Sequence, residues 1–480
     1  MPEPLSQRKH PWLFAALLLA GAFPAAAAAD EVAVPVEARS GLSITVYGDG
    51  LAMIRESRAA TLQSGTHRLT FPGISPAIVA SSAVVEPAGG GTVVAIDYDF
   101  DLLSQEALLR RSLGRQILVV RNHPQTGEET VDPATLLSLS NGIVVRYRDR
   151  IETDPPGRLA FPTLPPDLPA QPTLAATLAN LPAGRQELRL SYLSGGLGWS
   201  ADYVLIDRGR RLDLAGRATV TNTAGVDYEG AALGLIAGSI HRVSEPSAPK
   251  RAMMMRSGAD AMAAPAAAPP EPQREAFNDL HLYRFPQPVT LADRQTRQLT
   301  LLNAADIALE RGYVSEASVQ PYPVRGGEPR PSHPQIRLTF KAPEGEGRMP
   351  LPAGIARLYA ADAQGALRLI GEDRIAATPA GEQVRLSPGE AFDLSVLRRQ
   401  TDYLAAREPD KSVETGWRID VRNAKDEAAT VDLVEIIPGD WKILAESAPH
   451  TKETADRLVW RLEVPARGAA SLTYRVRLQR

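Results

Sequence analysis

Apolar residues in this chain recur at every second position, in short runs cut off by glycine or proline. Leu42, Ile44 and Val46 alternate with Ser43, Thr45 and Tyr47, and Gly48-Asp49-Gly50 then turns the chain. Arg68-Leu69-Thr70-Phe71 runs into Pro72-Gly73, and Thr92 to Ile96 follows Gly89-Gly90-Gly91. A period of two sends successive side chains to opposite faces of a strand, whereas one helix face needs a period of 3.6. With 40 prolines and 37 glycines among 480 residues, long helices are excluded. Turn signals at this spacing predict an all-β, multi-domain protein built from β-sandwich (Ig-like) units.

Residues 104–154 read differently. A short helix from Gln105 to Ser112 ends at Gly114. Gln116 to Val120, Ala134 to Leu139 and Ile143 to Tyr147 follow as strands, with turns at Pro124-Gln-Thr-Gly127 and Asn141-Gly142. Asn-Gly between apolar runs is a hairpin signal. So many strands in so little chain predict a small curled sheet or SH3/Sm-like barrel inserted after an N-terminal β domain over 30–103. Residues 155–172 are proline-rich and predict an extended connector. Residues 173–480 predict further sandwich units, interrupted at 244–275 by a disordered Ala/Pro/Met loop containing Met253-Met-Met255. Ala218-Thr-Val-Thr-Asn222 and Ile419-Asp-Val-Arg-Asn423 each read as a strand ending on an asparagine, followed by a return strand. That pair suggests two related units.

The first 29 residues read as a signal peptide. Arg8, Lys9 and His10 precede an apolar run from Trp12 to Ala22, then Pro24 and the alanines 25–29. The run is shorter than the ~20 residues of a membrane-spanning helix. No later segment reaches ~18 consecutive apolar residues, so no transmembrane segment is expected after cleavage. The destination predicted is the periplasm of a Gram-negative bacterium. There is no cysteine. In an oxidising compartment such a fold holds by burial alone, without disulfides, Cys-bound zinc or a thiol nucleophile.

Charge and motifs exclude more than they assign. The 53 basic and 56 acidic residues leave a net charge of -3, which speaks against nucleic-acid binding. Only seven of the basic residues are lysine, the usage expected of a GC-rich genome. The seven histidines lie too far apart for HExxH or HxH metal patterns, and GxSxG and P-loop motifs are absent. No catalytic residue, metal or cofactor is expected. Asp97, Asp99 and Asp101 would share one face of a strand and offer three carboxylates to calcium. The EF-hand spacing fails, because position six is Leu102 and position twelve Leu108. Ser194-Gly-Gly-Leu-Gly-Trp199-Ser-Ala-Asp-Tyr203 predicts a bulge or close backbone approach before a strand. Trp199 and Tyr203 then read either as a stacking platform for a sugar or as core plugs between sheets.

Ser191-Tyr-Leu-Ser-Gly-Gly-Leu-Gly-Trp-Ser-Ala-Asp-Tyr203 is followed by Leu212-Asp-Leu-Ala-Gly216, Val220-Thr-Asn222 and Tyr228. Phe285-Pro-Gln-Pro-Val-Thr-Leu291, Leu351-Pro-Ala-Gly354, Leu369-Ile-Gly-Glu-Asp373, Leu433-Val-Glu435 and Pro438-Gly-Asp-Trp441 come after them. This ordered series resembles the bacterial family called domain of unknown function 4139, over about residues 172–480. The resemblance implies a β-rich envelope protein and supplies no catalytic residues. Some relatives carry a coiled coil between their halves; here residues 104–150 occupy that region and show no heptad run. The functional expectation is an exported, non-enzymatic envelope protein that binds protein or glycan. The alternatives are an envelope glycan hydrolase with a dispersed carboxylate pair and an outer-membrane barrel. Aromatic content of 5% and the frequent prolines oppose the barrel.

Overall fold

A computed structural model describes residues 30–99, 104–123, 126–140, 142–163, 171–241, 271–323, 329–344, 350–405 and 412–479. The fold is all-β, with several open sheets and, among the described residues, no closed barrel. The leader (1–29), most of the Ala/Pro/Met loop and Asp101 lie outside the described residues.

Arg39–Tyr47 and Leu51–Leu62 form a hairpin across Gly48-Asp49-Gly50, where Gly50 adopts φ 78°. Gly65–Pro72 then leaves that sheet. It enters a four-stranded one in the order Asp30–Ala33, Gly65–Pro72, Thr173–Leu181, Thr92–Asp99. The hairpin belongs to an eight-stranded sheet running from Gln273–Phe277 at one edge to Val84–Pro87 at the other. Ile44, Ile54, Leu69, Phe71, Leu174 and Leu188 meet in one buried core between the two sheets.

The predicted N-terminal domain over 30–103 is therefore corrected. Leu51–Leu62 pairs along its whole length with Gly184–Gly195, and Gly65–Pro72 pairs with Thr173–Leu181. Residues 30–99 are half of a sandwich that the chain completes after residue 172. Alternation shows which face of a strand is buried; it carries no information on which distant strand pairs with it.

The segment between the two halves folds on its own core of Ile117, Val119, Ala134, Leu136, Val145 and Tyr147. Helix Gln105–Arg111 starts at Ser104, whose Oγ accepts from the Ala107 amide at 3.1 Å. Five strands follow, in the sheet order Ile151–Thr153, Val144–Arg146, Glu129–Ser138, Gln116–Asn122, Arg158–Ala160. The two outer strands do not pair with each other, so this is a curled open sheet rather than a barrel. Its last strand comes from the stretch predicted as connector. The insertion begins and ends side by side, because Asp99 and Thr173 are register partners.

Gly196 is the corner at which the chain passes from the eight-stranded sheet to a ten-stranded one. Its φ is 80°, and a Cβ there would lie 2.8 Å from both Ala224 Cα and Thr223 O. Leu197–Asp207 and Arg211–Asn222 form the next hairpin. Arg211–Asn222 pairs with the first part of Gln295–Ser318, a single strand of 24 residues. The far end of that strand pairs in parallel with Ala429–Ile436, in the C-terminal unit. There the ten-stranded sheet faces a four-stranded one ordered Leu394–Ala405, Ser412–Asn423, Ala469–Gln479, Asp440–Glu446. Trp460, Ile419, Leu433 and Val476 fill this second core.

The suggested repeat is visible in the hydrogen bonds. Asn222 Nδ2 donates to Val226 O and Leu291 O, and its Oδ1 accepts from the Ala224 amide. Asn423 Nδ2 donates to Glu427 O, Val464 O and Pro465 O, and its Oδ1 accepts from the Lys425 amide. Each buried asparagine closes an Asx turn at a strand end and ties it to a third segment.

A buried ion pair lies in the first core. Arg58 is fully buried and bonds both oxygens of Glu56, with Val34 O and Pro72 O accepting from Nη1 at 2.8 Å. Burial pushes the hydroxyl of nearby Tyr228 up to about 12.

Candidate functional site

Tyr203 is fully buried, and its hydroxyl donates to Pro352 O at 2.6 Å. It cannot present a ring to a ligand. Burial, with Tyr283 and Asp202 nearby, holds that phenol far above the usual range. Trp199 is half-buried; its Nε1 donates to Ile236 O at 3.0 Å, and its ring tilts against Tyr283 with centroids 6.4 Å apart. Tyr203 therefore takes the core-plug reading, and Trp199 packs against the same core while remaining half-buried. Asp97 is exposed and bonded to Arg68 Nη1 at 2.6 Å. Asp99 ends the same strand. Among the described residues, no three His, Asp or Glu side chains gather as a metal site.

Several segments that carry the family resemblance serve packing. A Cβ on Gly354 would lie 2.2 Å from Ala201 O, and one on Gly371 would lie 2.2 Å from Pro388 O. Gly439 takes φ 80° before Trp441, whose Nε1 donates to Ala455 O. Backbone approach and corner geometry require these residues, whatever the ligand.

A broad concave surface lies on the outer face of the eight-stranded sheet, and periodicity did not single it out. The register places Ala232, Ser43, Arg55, Ser191 and Val84 in one row across five strands. Small side chains make the floor low, and Met53 and Arg55 stand up from its centre. One part of this trough measures about 660 Å³; a second, of about 480 Å³, shares Ser43, Met53 and Arg55 and runs on to Tyr47 and Phe285. Arg55 is exposed and has no carboxylate partner among the described residues. A sequence signal did exist, in Gly41, Ser43, Thr45 and Ser57 on alternate positions.

Two other clefts are smaller. Arg217, Phe285 and Arg297 line one of about 380 Å³. Both its guanidiniums are bonded internally, Arg217 to Thr300 Oγ1 and Arg297 to Thr290 O. Asp402 and Glu446 line another of about 400 Å³. Asp402 pairs with Arg475 at 2.7 Å. Glu446 accepts from Trp460 Nε1 and lies 2.8 Å from His450 Nδ1. Burial raises Glu446, but those bonds outweigh it and hold the carboxyl below its usual range. The two acids sit on the outermost strands of a four-stranded sheet, which separates their backbones by roughly 14 Å. Their side chains turn to different partners, so they do not form an acid–base pair.

This architecture defines a class: stacked β-sandwiches whose clefts are open sheet faces. Residues 188–479, more than half of the chain, match the family described as Domain of unknown function (DUF4139), and the chain belongs to that family. No curated protein matches it.

Proposed function

We propose that the protein is an exported, non-enzymatic component of the cell envelope, in the periplasm of a Gram-negative bacterium, and that its trough holds an extended segment of a partner protein. The row through Ala232, Ser43, Arg55, Ser191 and Val84 carries this reading. A small-residue floor admits a flat backbone, and the serine hydroxyls and the Arg55 guanidinium donate to peptide carbonyls. Met53 and the half-exposed Val84 offer adaptable apolar contact on either side. Sugar hydroxyls would use the same donors, but this apolar content favours peptide. The hydrolase alternative needs two convergent carboxylates, and the cleft holding Asp402 and Glu446 does not supply them.

Photo-crosslinking tests the reading in cells. A benzophenone side chain at Met53 is expected to yield a discrete adduct with an envelope protein. The same probe at Val94, exposed on the other sheet, is expected to yield none. Arg55→Glu should abolish the Met53 adduct. No adduct at Met53, or the same adduct at both positions, would refute the proposal.

A further inference from the structure

The outer face of the C-terminal four-stranded sheet carries a second cleft, of about 530 Å³, in which three guanidiniums meet one carboxylate. Arg399, Arg418 and Arg422 face it from adjacent strands; Arg399 is the register partner of Arg418, and Arg422 that of Ser395 and Ala469. Asp420 bonds Arg418 Nε at 2.9 Å, accepts from Ser471 Oγ at 2.7 Å and lies 3.8 Å from Arg399. One carboxylate thus orients two guanidiniums and leaves the cleft with a surplus of positive charge. Arg422 is exposed and has no partner among the described residues. The floor between these side chains is made of Ser395, Leu397, Ala469 and Ser471.

An aromatic ring, Phe392, stands just outside the lining, three residues before Ser395. Pro331 lines the cleft, and two residues on His333 stacks against Phe392 with centroids 6.0 Å apart and planes 3° from parallel. His333 is fixed by Leu394 O, 2.7 Å from Nδ1, and its ring lies parallel to and offset from that of Phe392. Phe392 is 86% exposed, so its ring is open to solvent. Planar guanidiniums match carboxylates bidentately, and an open aromatic face suits the C–H face of a sugar ring.

We infer that this cleft binds an acidic polysaccharide, with Arg399, Arg418 and Arg422 holding its carboxylates and Phe392 stacking on a sugar. A bare anion leaves the exposed ring unused, and a membrane surface requires an apolar rim that three arginines do not make. The site is separate from the trough and does not depend on what occupies it.

The test uses the chain from residue 30 onward and affinity electrophoresis in gels containing polygalacturonate, dextran, or neither. Polygalacturonate is expected to retard the protein and dextran to leave it unaffected. Retardation should fall steeply as salt rises, because exposed charges are screened. Arg399→Gln with Arg422→Gln should weaken binding at least tenfold, about what losing one charge-assisted contact implies. Phe392→Ala should weaken it severalfold while the salt dependence persists. These side chains are exposed, so both variants are expected to match the parent in thermal unfolding and in the Met53 crosslink. Equal retardation by dextran, or unchanged binding in the arginine double variant, would overturn the inference. So would binding to phosphatidylglycerol vesicles without binding to the polymer.

Discussion

Removing Arg58 tests the claim that the first core is held by an ion pair rather than by apolar packing alone. Its side chain is fully buried, and its 3.2 Å contacts are the main neutralisation of Glu56, itself 5% exposed. Arg39 reaches Glu56 only at 3.9 Å. Stranding a buried charge in this way costs about 3–5 kcal/mol. The carbonyls of Val34 and Pro72 lose their donor from Nη1 as well, at about 1 kcal/mol each. Because the terms overlap, Arg58→Met is expected to destabilise the first sandwich by about 4–6 kcal/mol, a large part of what typically holds a domain folded. Removing both charges, with Glu56→Gln added, should recover much of that loss, because the uncompensated carboxylate is then gone. The chain has more than one core, so a single unfolding free energy is not defined. Hydrogen exchange resolves the matter locally, through the strands Leu51–Leu62 and Gly184–Gly195 in increasing urea. A loss below about 1 kcal/mol in Arg58→Met, or a double variant no more stable than the single, would refute the argument.

Asn222→Ala and Asn423→Ala should each cost about 2–4 kcal/mol. The loss of exchange protection should be confined to the first sandwich for one and to the C-terminal unit for the other; uniform loss in both would argue against equivalent corners. Replacing residues 104–163 by a short Gly-Ser linker should leave the first sandwich folded by circular dichroism and exchange, since Asp99 and Thr173 already sit side by side. The folded state holds the Glu446 carboxyl below its usual value of 4.5, so it gains stability above that pH and loses it as pH falls through the lower folded value. Acid unfolding followed by tryptophan fluorescence should be shallower in Glu446→Gln, because Trp460 sits on that carboxylate.

The reach of the sequence can be traced in particular residues. Alternation through Leu42, Ile44 and Val46 placed a strand and its buried face correctly, because both depend on local geometry. The helix at Gln105–Arg111 was bounded in the sequence by Gly114, which takes φ 75°. The Asn222 and Asn423 corners were legible for the same reason. Pairing was not: nothing in Leu51–Leu62 points to Gly184–Gly195, so a half-sandwich read as a domain. The sequence left Tyr203 open between two roles, because an aromatic on an alternating strand looks the same facing a ligand or a core. The trough escaped notice because its signal lies in small residues, which mark a surface only once the neighbouring strands are known. The arginine cleft escaped for a related reason, since Arg399, Arg418 and Arg422 come together through register alone.

The strand Gln295–Ser318 belongs to both halves of the molecule, pairing with Arg211–Asn222 at one end and Ala429–Ile436 at the other. At about 3.3 Å per residue, its 24 residues span up to roughly 80 Å. Its pairing with Arg211–Asn222 shifts register twice and Asp306 takes φ 58°, but no loop interrupts it, so a continuous strand joins the two units. A load applied to either is carried as tension in a hydrogen-bonded backbone rather than absorbed by a slack tether. The trough and the arginine cleft thus lie on sandwiches that share this strand. A partner long enough to reach both pays little entropy for its second contact.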